Sequence, residues 1–105
     1  MNVIYKYEAS EKYSVMPNHF TFHFQVKYES EIIKTKFESG HGRGSALLTI
    51  WGIVDTNIEA IEDGENIKQY EVYGTGAEID ALDELEFVDT IFDGPYVWHV
   101  FEKVE

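Results

Sequence analysis

Cysteine is absent from this 105-residue chain. That excludes a disulfide framework, a thiol nucleophile and any cysteine-based metal site, and it fits a cytoplasmic setting. Basic side chains are scarce: eight Lys and Arg stand against twenty Asp and Glu, a formal net charge of −12. Such a balance excludes a general binder of nucleic acid or of membrane surfaces, because both need excess positive charge. No run approaches the roughly 18 apolar residues of a membrane span, and the first ten residues lack the apolar core of a signal peptide. Linkers, low-complexity tracts and internal repeats are missing as well. Residues 1–105 therefore read as a single β-rich domain.

Apolar residues make up 44% of the chain and aromatics 15%, too much for a disordered polymer. Period-two alternation is clearest over His19–Tyr28, where Phe20, Phe22, Phe24, Val26 and Tyr28 share one face. That pattern predicts a half-buried antiparallel strand whose inner face walls the core. Ala46–Val54 is apolar on both faces, which predicts a central strand covered on both sides, and Tyr96–Phe101 reads the same way after an Asp93-Gly94 turn. Weaker strands are Val3–Glu8, Tyr13–Met16, Ile32–Phe37, Lys68–Tyr73 and Leu85–Phe92.

Helical signals are short. Thr56-x-x-Glu59 resembles a capping box with Gly64 as a stop, predicting one or two turns over 57–63. Ile79, Leu82 and Leu85 recur at three-residue spacing, predicting a small helix over Glu78–Leu85. The expected class is mainly β or α+β: an antiparallel sheet rolled into a sandwich or half-open barrel, with one or two short helices.

Few constellations point to chemistry. His19 and His23 are four apart, but a strand separates them by about 13 Å, too far to share one ion. Asp55, Asn57 and Glu59 look like the start of a calcium loop, yet Ala60 stands where the turn needs glycine and Asn66 where it needs glutamate. Gly74-Thr75-Gly76 lacks a third glycine, and Glu78 and Asp80 would repel a phosphate, so a tight turn with Thr75 as a cap is the expectation. His99 reads as a core histidine satisfied by a backbone carbonyl. Ser39, His41 and Ser45 form no nucleophilic triad, and no enclosed carboxylate pair is evident. Neither a catalytic group, a metal nor a cofactor is expected.

Two features point instead to binding. Residues 1–54 balance at +1, whereas residues 55–105 carry fifteen carboxylates against Lys68 and Lys103, a balance of −13. Halves of opposite sign prompt a search for a charged partner. The densest acids are Glu78, Asp80, Asp83, Glu84 and Glu86, followed by Glu59, Glu62, Asp63 and Glu65. The second feature is Gly40-His41-Gly42-Arg43-Gly44, where a glycine-rich backbone and an arginine fork suit an anion, although hairpin tips share this composition.

Several segments resemble a family of small, uncharacterised phage and prophage proteins: Ile4-Tyr5-Lys6-Tyr7, Met16-Pro17, Leu48-x-x-Trp51-x-x-Val54-Asp55, Tyr73-Gly74-Thr75-Gly76, and Gly94-Pro95-Tyr96-Val97-Trp98-His99-Val100-Phe101-Glu102. After the Gly-Thr-Gly turn many such proteins continue with His-Pro, where this chain has Ala77-Glu78, and residues 28–45 look longer than usual. The resemblance implies a small accessory protein acting inside a bacterium, in a group rich in inhibitors of host immunity such as anti-CRISPR proteins. The expectation that follows is a non-enzymatic inhibitor docking its acidic residues onto a basic host protein. An alternative is a sponge for a nucleotide signal, using Tyr28, Lys34, Lys36 and Gly40, His41, Gly42, Arg43 and Gly44. A third is a self-associating phage accessory domain, a homo-oligomer. None of the three involves direct nucleic-acid or membrane binding.

Overall fold

A computed structural model of the chain describes residues 1–11, 19–39, 46–61 and 66–104. Alternating burial turns seven segments into strands: β1 (Asn2–Glu11), β2 (His19–Gln25), β3 (Glu31–Glu38), β4 (Ala46–Asp55), β5 (Ile67–Gly74), β6 (Leu85–Asp93) and β7 (Tyr96–Lys103). They form two antiparallel sheets, ordered β1-β4-β3 and β2-β5-β7-β6. The sheets face each other as a sandwich, with β1 beside β2 at one seam and β3 beside β6 at the other.

The core lies between the sheets, where alternate side chains meet. Phe22 and Phe24 of β2, Phe37 of β3, Leu48 and Ile50 of β4, Val72 of β5, and Trp98 and Val100 of β7 are all buried. Phe37 is the hinge of an aromatic cluster: its ring lies 4.9 Å from Trp98, 5.4 Å from Phe20 and 6.0 Å from Phe22. Such tilted and edge-on pairs each add about 0.5–1.5 kcal/mol beyond burial of their area.

Most expected strands are present, with shifted ends. β2 stops at Gln25: Val26 N–H still donates to the Asn66 carbonyl, next in register after Gln25↔Ile67, and the Lys27 carbonyl then accepts from Ile61 N–H, off that register and before Tyr28. β4 is central in its sheet, yet among the described residues no further strand or helix covers its outer face. Trp51 there is flanked by Lys6, whose ammonium lies 5.8 Å from the ring centroid. β7 is central in its own sheet: its inward Trp98 and Val100 are buried, and its outward Val97, His99 and Phe101 are part-buried. The Tyr13–Met16 strand lies outside the described residues.

Helix is nearly absent. Instead of a helix, residues 57–61 form turn and extended chain, because the groups that would start one are engaged elsewhere. The Asn57 amide donates to Asp55 Oδ1, and the Thr56 hydroxyl donates to the Met1 carbonyl. Residues 62 and 63 lie outside the described residues. The expected helix over Glu78–Leu85 contracts to one 3-10 turn, Leu82–Glu84, with no side-chain cap. Among the described residues no helix is long and apolar enough to cross a membrane.

Candidate functional site

The connection from β5 to β6 shapes the outer surface of the four-stranded sheet. Both strands run antiparallel to β7, which lies between them, so they run parallel to each other. The chain leaving Gly74 must therefore travel back along the sheet before Leu85 pairs with Lys103. The inner face is filled by the core, so this crossover runs over the outer face. That accounts for Tyr73, which points outward from β5 and is nevertheless only 6% exposed. Its phenol is held above its ordinary pKa by burial first, then by the charges of Glu71 and Asp80.

The crossover begins with the Gly-Thr-Gly turn. Ala77 N–H donates to the Gly74 carbonyl, and Gly76 has φ +93°, a backbone that glycine adopts without strain. Thr75 caps no helix: its hydroxyl meets His99 Nε2 at 3.0 Å and the Val97 carbonyl at 3.5 Å. At its far end, the 3-10 turn is pinned when Glu84 carbonyl accepts from Val104 N–H.

Glu78, Asp80, Asp83 and Glu84 are all exposed on this crossover, and Glu86 follows on β6 directly opposite Glu102. Glu102 is half-buried and its carboxyl is held above the ordinary value. Burial is the main cause, Lys68 opposes it, and Glu29 and Glu86 reinforce it. Glu29, Glu86 and Glu102 thus share one electrostatic neighbourhood. Glu59 is exposed on the connection from β4 to β5, which enters the second sheet at Ile67, the same end at which β6 begins. Glu84 and Glu86 therefore lie at the end of the four-stranded sheet where β6 begins, whereas Glu78 follows the Gly74 turn at the opposite end and Asp80 acts on Tyr73. Glu62, Asp63 and Glu65 lie outside the described residues.

Apolar side chains stand exposed among these acids. Leu82 is 58% exposed and Phe87 57%. Phe87 is held edge-on to Phe101, ring centroids 5.7 Å apart, so it projects from a fixed base. Ile67 is exposed at the same end of the sheet.

A second polar group sits on the outer face at β2 and β5, and the sequence alone does not reveal it. Glu71, almost buried, accepts from Thr21 Oγ1 at 2.6 Å and Gln69 Nε2 at 3.0 Å, and its Oε2 lies 3.1 Å from His19 Nε2. The His19 ring stacks on Tyr73 with centroids 4.2 Å apart. Only the register Thr21↔Glu71 and His19↔Tyr73 brings these residues together. His99 is satisfied by two hydroxyls rather than by a backbone carbonyl: Thr90 Oγ1 is 3.1 Å from Nδ1 and Thr75 serves Nε2. Among the described residues, no group of three or more His, Asp or Glu is placed to hold a metal ion.

One family of domains of unknown function, DUF7352, matches residues 1–105. The chain belongs to it. No curated protein and no solved structure matches the chain. For this DUF7352 member the geometry of the surface is accordingly the ground for a functional reading.

The residues of the alternative nucleotide site are divided. Gly40, His41, Gly42, Arg43 and Gly44 lie outside the described residues. Lys34 and Lys36 border an open cleft between β3 and β6, whereas Tyr28 lines a cavity of about 20 Å³ with Tyr7, Tyr70 and Glu102. That cavity has room for a single water. The Tyr7 hydroxyl is buried without a hydrogen-bond partner among the described residues.

Proposed function

We propose that this domain is a non-enzymatic binding protein, phage-encoded and acting in the cytoplasm of a bacterial host. It docks its acidic crossover, Glu78–Glu86, onto a basic, immune or nucleic-acid-handling host protein and blocks that protein's anionic-ligand surface. The observation that carries this reading is the placement of Leu82 and Phe87, each more than half exposed, among Asp83, Glu84 and Glu86. Protein interfaces pair apolar anchors with a polar rim, and single-sign charge around the anchors steers a partner of opposite sign. Exposed carboxylates strung along Glu78–Glu86 present a row of negative charge to a surface built for phosphates.

The test uses the tagged domain in bacterial lysate at low salt, with the triple variant Asp80→Lys/Asp83→Lys/Glu84→Lys and the variant Phe87→Ser beside it. The expected result is a basic nucleic-acid-binding protein retained by the parent, released by added salt and lost from both variants. Its nucleic-acid binding, measured after purification, should fall when the parent domain is added. Retention unchanged by the triple reversal would sink the reading.

A further inference from the structure

The end of the sandwich where the chain passes from β2 to β3 holds a small polar cavity. Tyr7 of β1 reaches it from one sheet, Tyr70 of β5 and Glu102 of β7 reach it from the other, and Tyr28 and Glu29 line it from the connection. Its volume is about 20 Å³, the room of one water molecule. Glu29, whose side chain is 70% exposed, marks where this space meets solvent.

Register brings these groups together. Tyr70 pairs with Glu102 and Glu102 with Glu86, so one row of the four-stranded sheet runs from a phenol, through a half-buried carboxylate, to an acid of the docking surface. Tyr70 Oη donates to Glu102 Oε1 at 3.5 Å, a long bond that leaves most of the carboxylate's acceptor capacity open. Burial first, then the charges of Glu102 and Glu29 and the Tyr7 phenol, keep the Tyr70 phenol protonated, which places all four in one electrostatic neighbourhood. The Tyr7 hydroxyl is buried and has no hydrogen-bond partner among the described residues.

Charge selects what suits that space. Glu29, Glu86 and Glu102 act on it together, whereas Lys68 lies 2.9 Å from Glu29 and Lys27 5.5 Å from the Tyr28 ring centroid. Carboxylates thus outnumber ammonium groups three to two, and a neutral water would leave that excess unanswered. A metal ion is poorly served, since no group of three His, Asp or Glu among the described residues is placed to hold one. An ammonium group is about as small as a water, donates three hydrogen bonds and is drawn to aromatic faces such as Tyr28 and Phe24, both in the lining. We infer that the cavity is a socket for a primary ammonium group, filled by the tip of a lysine from the basic partner. Its three N–H bonds go to Tyr7 Oη, Tyr70 Oη and a Glu102 oxygen, and its stem leaves past Glu29. An arginine is refused, because its planar guanidinium is too wide for the room of one water. The inference rests on the docking reading above and adds the residue type that the partner must supply.

The test titrates the ¹⁵N-labelled full chain with methylammonium chloride and follows amide shifts, with sodium, tetramethylammonium and guanidinium chlorides at equal concentration as controls. Methylammonium should move the amides of Tyr7, Tyr28 and Glu102 along a saturable curve that none of the controls reproduces. Glu102→Gln should weaken binding about tenfold, as expected for loss of one charge-assisted bond, and Tyr7→Phe should weaken it less. Melting curves verify that each variant is folded, and Glu29→Gln, at an exposed position, replaces either one that is not. A response no different from that to sodium overturns the inference, as does one that tetramethylammonium matches or that Glu102→Gln leaves unchanged. In the lysate test, Tyr7→Phe/Glu102→Gln should retain several-fold less of the basic protein than the parent. Parental retention by that variant overturns the assignment of the socket to the partner's lysine. If the parent domain itself retains nothing, the docking reading fails and the partner's lysine falls with it, whereas the socket is still decided by methylammonium, which needs no partner.

Discussion

Tyr70 Oη donates to Glu102 Oε1 across 3.5 Å, in the half-buried space where β5 and β7 face the first sheet. Burial dominates both groups and favours their protonated forms. The folded chain therefore holds the Glu102 proton more tightly than the unfolded chain does. Stability from that proton is whole below the ordinary value of 4.5 and is lost as pH rises through the raised folded value. Glu102→Gln needs no proton, so it should melt above the parent at pH 7, with the gain vanishing below pH 4.5. Equal melting at pH 7 would show that attraction to Lys68 offsets burial. Tyr70 acts in the same direction at the other end of the scale, its contribution whole below 10.0 and lost as pH rises further.

Gly52 of β4 is a position where an added side chain meets a wall. A Cβ there would stand 2.7 Å from Ser30 Oγ and 2.8 Å from Ser30 Cβ. Gly52→Ala should destabilise the domain by about 1–3 kcal/mol, the usual penalty for overpacking. Adding Ser30→Gly removes the obstructing atoms and should return most of that loss in urea melts. If the double variant is no better than the single one, the obstruction lies elsewhere.

The hairpin between β6 and β7 rests on Gly94, with φ +58°. Asp93 pairs with Tyr96, so Gly94-Pro95 is a two-residue loop. Proline fixes a negative φ at the second place, which leaves the turn type that wants glycine at the first. Gly94→Ala should lower stability by about 1–2 kcal/mol, since L-residues pay that much for a left-handed backbone. A variant as stable as the parent would exclude this loop geometry.

At the seam, Thr35 is buried and its hydroxyl serves Asp89. Thr35→Val keeps the shape and deletes the donor, so it should cost about 1–3 kcal/mol for a partly buried acceptor left short of a partner. Thr35→Ser restores the donor and should recover part of the loss. Chemical denaturation of the three proteins decides the matter, and a Thr35→Val variant of parental stability would mean that the hydroxyl pairing is dispensable.

Local patterning marks the seven described strands: alternation of Phe20, Phe22 and Phe24 announces β2 whatever lies opposite, and runs apolar on both faces mark β4 and β7. The residues leave a sandwich and a half-open barrel both open, and the pairing into two sheets, β1-β4-β3 and β2-β5-β7-β6, decides for the sandwich. The sequence also showed its acids, though only as a list. Their placement depends on β5 and β6 being parallel neighbours of β7, which strings Glu78–Glu84 along the sheet and brings Glu86 beside Glu102. Local signals could not foresee that register. The same holds for Glu71, which looks like any strand carboxylate until Thr21 and His19 are placed across from it. Spacing alone suggests short helices over 57–63 and 78–85, but Met1 and Val104, distant in sequence, engage Thr56 and Glu84, and the described part of each segment holds at most one 3-10 turn. Composition, strand periodicity and net charge belong to the sequence itself, since each is set by a residue and its near neighbours. Which charges share a face, and which β3 hydroxyl meets which β6 aspartate, was decided only when strands distant in sequence became edges of the same seam.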